Sequence, residues 1–122
     1  MESRVLRLVG VFALALAAGF ACGEDDDGTG PEDGVRVIEM SNRLFSPANV
    51  TIEPGTTVRW VGDHEPHTIT PNEASTSKPG VWEDVEVAPN GQYEYTFEVA
   101  GQTYDYFCRF HPGMTGRITV SQ

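Results

Sequence analysis

The sequence has few positive charges and no long apolar stretch beyond its N-terminal region. Its 122 residues contain eight lysines and arginines against 18 aspartates and glutamates, a formal net charge of −10. A chain so poor in basic residues lacks the positive surface that nucleic-acid binding requires. Residues 8–18 form its longest apolar stretch, which is shorter than the roughly 20 residues of a membrane-spanning helix. We therefore expect no nucleic-acid partner and no transmembrane helix in the mature protein.

The N-terminal region is typical of an export signal. Two arginines precede an apolar stretch from Leu8 to Ala18, and small residues follow. This order predicts a signal peptide over residues 1–21. Cys22 comes next and resembles the lipid-modified cysteine of bacterial lipoproteins, which implies an N-terminal lipid anchor. Gly19 stands where that family prefers leucine, so ordinary signal cleavage before Cys22 stays open as an alternative.

Residues 22–34 are acidic and rich in glycine. They contain six acids, four glycines and no large apolar residue. Such a segment cannot bury a core and predicts a disordered tether that starts at Cys22. Residues 35–122 remain as one domain, with a net charge near −5. That charge allows steering toward a basic partner.

The domain has the pattern of an all-β protein. Short runs rich in β-branched and aromatic residues alternate with glycine, proline and asparagine, and no long run has helical periodicity. Tyr93, Tyr95 and Phe97 alternate with Glu94 and Thr96, which predicts one buried face. Candidate strands are residues 35–40, 50–52, 57–61, 67–70, 81–87, 92–99, 103–108 and 117–120. About eight strands predict a two-sheet Greek-key β-sandwich, with Trp60 and Trp82 in its core or at a sheet edge.

One segment near the C-terminus concentrates metal-binding side chains. Cys108, His111 and Met114 lie within seven residues, in the run Cys-Arg-Phe-His-Pro-Gly-Met. A thiolate, an imidazole and a thioether are soft and borderline ligands that favour copper over zinc, calcium or magnesium. A blue-copper site has two histidines and one cysteine near one plane, with a weak axial methionine. One further imidazole is therefore needed.

That imidazole must come from His64 or His67, because the chain has only three histidines. His67 opens the run His-Thr-Ile-Thr, whose β-branched residues favour a strand that can hold a side chain rigidly. His64 lies between Asp63 and Glu65, a setting typical of an exposed turn. The predicted metal ligands are His67, Cys108, His111 and Met114.

These four residues resemble the ligand set of the cupredoxins, the plastocyanin, amicyanin and azurin-like blue copper proteins. The spacing Cys-x-x-His-x-x-Met, with proline after the histidine, is most similar to amicyanin. In that family the first histidine commonly follows a proline, as His67 follows Pro66, and a residue that ties the ligand segments together by hydrogen bonding often comes next, the position of Thr68. The sequence departs at Arg109 and Phe110, since the family usually carries proline before the second histidine.

The resemblance covers about residues 35–121. It implies a cupredoxin-like fold, one copper ion that alternates between Cu(I) and Cu(II), and electron transfer through the edge of His111. It also implies that Phe110, Pro112, Gly113 and Met114 form an apolar rim around that edge.

Three other interpretations of the Cys108 segment are weaker. Core packing explains a lone cysteine or methionine, but not their clustering with histidine, proline and glycine in a turn. A cysteine nucleophile beside His111 lacks a convincing oxyanion site and a third orienting group. Zinc prefers closed sets of cysteine and histidine, for which Met114 is a poor fourth ligand.

We therefore expect a mononuclear type 1 blue copper protein that carries single electrons between redox proteins, and not an enzyme. Multicopper oxidase and nitrite reductase modules need further histidines, and a binuclear copper centre needs a second cysteine in the loop. A copper carrier or storage lipoprotein is the alternative. The expected location is the periplasmic or cell-surface side of a bacterial membrane. We expect a monomeric domain without a disulfide, because Cys22 lies at the processed terminus and Cys108 in the ligand loop.

Overall fold

The structure is a computed structural model that describes residues 34–122. The predicted signal peptide, Cys22 and the predicted tether up to residue 33 lie outside the described residues. Residues 34–122 contain nine β-strands and no helix, and thus no helix with the length and apolar character needed to cross a membrane. The strands are β1 (Val35–Ser41), β2 (Leu44–Ser46), β3 (Asn49–Ile52), β4 (Thr56–Gly62), β5 (His67–Pro71), β6 (Val85–Val87), β7 (Gln92–Phe97), β8 (Thr103–Phe107) and β9 (Thr115–Val120).

The strands form two sheets. One has four strands in the order β2-β1-β4-β7, and the other has five in the order β3-β9-β8-β5-β6. β1 pairs with β4 in parallel, as β3 does with β9, and the other neighbours run antiparallel. The predicted all-β sandwich is confirmed.

The core lies between the sheets and contains most of the large aromatic side chains. Of the two positions predicted for Trp60 and Trp82, the structure shows the core: both are buried, and their rings lie 5.7 Å apart. On β7 the aromatic side chains point inward while Gln92, Glu94 and Thr96 are exposed, so the predicted alternation is confirmed. Trp82 Nε1 donates a hydrogen bond to the backbone oxygen of Ile69 on β5, 2.9 Å away. This bond ties the core to the strand that begins at His67.

The turn between β3 and β4 carries the chain from one sheet to the other. Thr56 N donates to the backbone oxygen of Glu53 at 3.1 Å, and Gly55 has a positive φ of 93°. Pro54 presets the preceding backbone angle, and glycine accepts a positive φ without a steric penalty. These are the features of the type II turn that the Pro-Gly pair predicts.

Two strands differ from the prediction by more than two residues. β2 was not predicted, because it follows a two-residue turn at Asn42 and Arg43 that contains no glycine. Both residues have positive φ, 52° and 60°, as the tight turn of a β-hairpin requires. The strand predicted at residues 81–87 is shorter, Val85–Val87. Its first half includes Trp82, whose indole contacts the core from a segment without a strand partner.

Candidate metal centre

Strand pairing brings the two metal-binding segments to the same end of the five-stranded sheet. β5 and β8 are antiparallel, with Thr70 opposite Phe107 and Pro71 opposite Tyr106. His67 is the first residue of β5, and Cys108 directly follows β8. Continued past Phe107, the same register places His67 beside the loop that begins at Cys108. Residues distant in sequence therefore meet because two strands end together.

The loop from Cys108 to Met114 is closed by its own backbone. Cys108 N donates to the backbone oxygen of Met114 at 2.9 Å, and Met114 N donates to that of His111 at 3.1 Å. The second bond closes a turn with Pro112 and Gly113 at its centre, and Gly113 has φ of 86°. Proline followed by glycine with positive φ again favours a type II turn. This turn fixes the loop between its histidine and methionine.

Three donor atoms, from His67, Cys108 and His111, lie close together beside this loop. The ligand atoms of His67, Cys108 and His111 all lie within 4.8 Å of one another, and Cys108 Sγ is 3.4 Å from His111 Nδ1. Metal bonds of about 2.3 Å to sulfur and 2.0–2.1 Å to nitrogen place the two ligand atoms of one ion roughly 3.5–3.8 Å apart. The donor atoms are therefore close to the spacing that a single metal ion requires.

His67 supplies an independent sign that this is a metal site. Its side chain is fully buried, and its Nδ1 atom has no hydrogen-bond partner. Its Nε2 atom lies 2.8 Å from Asp63 Oδ1. Leaving a buried polar atom unpaired costs about 1–3 kcal/mol, and a metal bond would satisfy it. The donor set and this unpaired nitrogen both fit a copper ion.

Backbone and hydroxyl groups around Thr68 link the two segments. Thr68 N donates to Cys108 Sγ at 3.3 Å, and Arg109 N donates to Thr68 Oγ1 at 2.7 Å. The Arg109 guanidinium is paired with Asp84 at 3.1 Å, and Asp84 also lies 2.7 Å from the hydroxyl of Thr70. Hydrogen bonds to a sulfur that binds a metal tune the redox potential of that metal. The network joins β5, the ligand loop and the segment before β6.

His111 lies nearer the surface than His67. Its side chain is 11% exposed, and its Nε2 atom is 3.2 Å from Glu65 Oε1. Glu65 also accepts from Arg43, whose Nε and Nη2 atoms lie 3.3 and 3.2 Å from the two carboxylate oxygens. The Arg43 guanidinium lowers the pKa of Glu65. The outer edge of His111 therefore faces an anionic side chain.

Asp63 holds a similar position beside His67. Its Oδ1 atom accepts from Glu65 N at 3.0 Å as well as contacting His67 Nε2. The hydrogen bond from the Glu65 backbone, together with that from the His67 ring, lowers the pKa of Asp63 to about 2. Asp63 is therefore a carboxylate at neutral pH.

The structure separates the predicted site residues into groups. It brings His67, Cys108 and His111 together, whereas His64 is exposed. Met114 is fully buried, and its backbone oxygen accepts from Cys108 N. Pro66 is exposed on the approach to β5.

Two residues that contact the site were not predicted. Asp63 and Glu65 flank exposed His64 in the sequence. That pattern is typical of acids that face solvent. Their contacts with His67 and His111 depend on how the loop before β5 folds back. No sequence motif marks that fold.

Comparison with known proteins agrees with this geometry. A model of the copper-binding proteins of the plastocyanin/azurin family matches residues 35–121. The chain belongs to this family. Plastocyanin of Scenedesmus fuscus is 40% identical over 85 residues, which cover 63% of this chain and 86% of that plastocyanin. Amicyanin of Paracoccus versutus is 36% identical over 94 residues, which cover 74% of this chain and 67% of that amicyanin.

Solved structures of the family have the same fold. Reduced amicyanin with a proline-to-phenylalanine substitution matches with a TM-score of 0.62 at 26% identity, covering 74% of this chain and 85% of that chain. A purple cupredoxin from Nitrosopumilus maritimus matches with a TM-score of 0.58 at 30% identity, covering 70% and 98%. Copper is the cofactor of this plastocyanin/azurin family member, as its donor residues predict.

Proposed function

We propose that this protein is a mononuclear blue-copper electron carrier whose ligands are His67, Cys108, His111 and Met114. The observation that carries the proposal is the group of two imidazoles and one thiol within 4.8 Å, with His67 Nδ1 buried and unpaired. Copper supplies the chemistry when bound, because it exchanges one electron between its Cu(I) and Cu(II) states. Family membership supports the same function.

The chain's part is to keep the donor atoms in place. His67 and Cys108 are both buried. His67 begins β5 and Cys108 directly follows β8, and because these strands are paired, the core limits the movement of both side chains. Thr68 N and Arg109 N hold the sulfur and the loop through hydrogen bonds at 3.3 and 2.7 Å. Ligands that move little on oxidation and reduction keep the reorganisation energy small, which favours fast electron transfer.

The edge of His111 is the proposed point of electron entry and exit. It is the most exposed of the three grouped side chains, and Phe110 beside it is 41% exposed. We propose a redox protein as donor and another as acceptor, each of which contacts this end of the sandwich. Electron transfer of this kind needs no bound organic substrate, which agrees with a carrier rather than an enzyme.

We also propose that the protein works outside the cytoplasm of a bacterium, anchored by a lipid on Cys22 and working as a monomer. The sequence pattern of residues 1–34 supports the export and the lipid anchor. The mass of the N-terminal peptide from membranes of expressing cells tests the anchor. A diacylated Cys22 supports it, and an unmodified mature N-terminus contradicts it.

The test of the copper site is spectroscopic. The purified chain and its Cys108→Ser variant are titrated with Cu(II) and followed by visible absorption and paramagnetic resonance. We expect an intense blue thiolate band with narrow hyperfine splitting, bleached reversibly by reductant and absent from the variant. A colourless complex that binds copper equally well in both chains would contradict the electron carrier and favour copper carriage or storage.

A further inference from the structure

The segment before β5 supplies one carboxylate to each imidazole of the metal centre. Asp63 Oδ1 lies 2.8 Å from His67 Nε2, and Glu65 Oε1 lies 3.2 Å from His111 Nε2. Both contacts fall on Nε2. Nδ1 of His111 is 3.4 Å from Cys108 Sγ, and Nδ1 of His67 is buried without a partner. The two rings are therefore oriented in the same sense, with Nε2 toward an acid.

An ionised carboxylate can only accept hydrogen bonds. Aspartate carboxylates are ionised at neutral pH, and Asp63 Oδ1 lies 3.0 Å from Glu65 N and 2.8 Å from His67 Nε2. His67 Nε2 must then carry the proton, which leaves a lone pair on Nδ1. The Glu65 carboxylate pairs with Arg43 at 3.2 Å and lies 3.2 Å from His111 Nε2, so a proton on His111 Nε2 is favoured as well. Both imidazoles thus have the tautomer in which Nδ1 can bind a metal.

Contacts within the chain hold both acids. Asp63 Oδ1 accepts from Glu65 N at 3.0 Å, which closes a local turn. Glu65 accepts from Nε and Nη2 of Arg43, and Arg43 lies in the tight turn between β1 and β2. The turn between β1 and β2 therefore places a guanidinium beside the carboxylate that contacts His111.

We infer that Asp63 and Glu65 are positioning residues for the copper ligands. They hold both imidazoles as Nε2–H tautomers with Nδ1 toward Cys108, and their negative charges favour the oxidised, more positive state of the centre. The inference rests on the proposed function. Partners on the outer nitrogen of a ligating histidine fix its tautomer and raise its strength as a ligand. A nearby anion stabilises the state of higher positive charge.

The two acids are not equivalent. His67 is fully buried and the Asp63 side chain is 21% exposed, so their interaction is weakly screened. Glu65 is 27% exposed and is partly neutralised by Arg43, which is 66% exposed. Water and the guanidinium both weaken the field of Glu65 at the metal centre. Asp63 should therefore have the larger effect.

The first test needs no copper. Nitrogen-15 resonances of the imidazoles in the copper-free full chain report which ring nitrogen carries the proton. We expect Nε2–H for His67 and His111, and a mixture of tautomers at His67 in Asp63→Ala, which removes the acceptor. A proton on Nδ1 in the unmodified chain would overturn the inference. So would an Asp63→Ala spectrum identical to that of the unmodified chain.

The second test measures the charge effect in the copper-loaded full chain. Asp63→Asn keeps an acceptor oxygen but removes the charge. We expect it to shift the electron equilibrium with a reference couple about tenfold toward the reduced protein, about 59 mV for one electron. Glu65→Gln should shift it in the same direction, about threefold. The matched control is Glu94→Gln, whose carboxylate pairs with Arg59 on the surface at 2.6 Å.

The outcomes separate this inference from the proposed function. If the unmodified chain forms no blue copper site, the proposed function fails, while the tautomer test still stands on its own. If the blue site forms but Asp63→Asn and Glu65→Gln shift the potential no more than Glu94→Gln, only the inference about these acids is wrong.

Discussion

The aromatic core and the metal-binding end of the sandwich differ in how their buried polar atoms are paired. In the core, Trp60 Nε1 donates to the Tyr106 hydroxyl at 3.2 Å, and the Tyr104 hydroxyl donates to the Pro79 backbone oxygen at 2.6 Å. At the other end, His67 Nδ1 is the one buried side-chain nitrogen or oxygen without a partner in residues 34–122. An unpaired buried atom costs about 1–3 kcal/mol. The core is complete by itself, whereas the metal-binding end is completed by a ligand.

This difference assigns separate roles to the two regions. Changes in the core should lower the free energy of unfolding and leave the copper spectrum unaltered. Changes at the metal-binding end should alter copper binding first. Mutations more than about 7–10 Å apart usually have additive effects on stability, so the two kinds of change can be measured separately.

The largest effect is expected from Phe97→Ala in the core. Phe97 is fully buried, and its ring lies 5.6 Å from that of Trp82 and 5.4 Å from that of Tyr104. Removing such a ring from a close-packed core costs about 3–5 kcal/mol. Urea unfolding of the copper-free chain measures the loss, with Leu44→Ala, at a side chain 58% exposed, as control. A changed blue band in Phe97→Ala would show that the core also sets the copper site.

Copper itself should produce the next largest effect. A ligand that binds only the folded state stabilises it by about 2.7 kcal/mol at 100 times its dissociation constant. We expect this gain in the unmodified chain and in Phe97→Ala, but not in Cys108→Ser. Thermal unfolding with and without copper measures it. An equal gain in Cys108→Ser would place the stabilising copper elsewhere on the chain.

The sequence was sufficient to predict the core and the grouping of His67, Cys108 and His111, for different reasons. Alternation of Tyr93, Tyr95 and Phe97 with polar residues reflects a local rule, the period of a strand. The Cys108 loop was recognisable because soft donors rarely cluster in a turn with proline and glycine. His67 was preferred to His64 for two local reasons, the strand-forming residues after His67 and the acids that flank His64.

The features that were not predicted depend on long-range geometry. β2 was missed because its turn uses Asn42 and Arg43 at positive φ in place of glycine. That turn places Arg43 beside Glu65, 22 residues further along the chain. The contacts of Asp63 and Glu65 with the imidazoles need the same long-range arrangement. A local pattern of acids around a histidine is the same whether the acids face water or a ligand.

A smaller effect is expected from Thr68→Val, which lies where the two regions meet. Thr68 is fully buried, and its Oγ1 accepts from Arg109 N at 2.7 Å. Valine keeps the shape but leaves that N–H without its acceptor, at a cost of about 1–3 kcal/mol. Urea unfolding of the copper-free chain measures the loss. Thr51→Val, at an exposed position of β3, should change stability by no more than about 0.5 kcal/mol. If the two variants are equally stable, the Thr68 bond does not hold the ligand loop.

The smallest effect at neutral pH is expected from Tyr104→Phe. This variant tests how the buried hydroxyl contributes to stability and to its dependence on pH. Its hydroxyl donates to Pro79, so its removal should cost about 1 kcal/mol. Burial raises the pKa of Tyr104, whereas an unfolded tyrosine ionises near pH 10. Above about pH 10 the unfolded chain therefore binds fewer protons than the folded one, and the free energy of unfolding falls as pH rises. Urea unfolding between about pH 8 and 11 should show a shallower fall in Tyr104→Phe, because one ionising group has gone. An equally steep fall would mean that the pKa of Tyr104 is the same in the folded and unfolded chain. Burial would then not raise it.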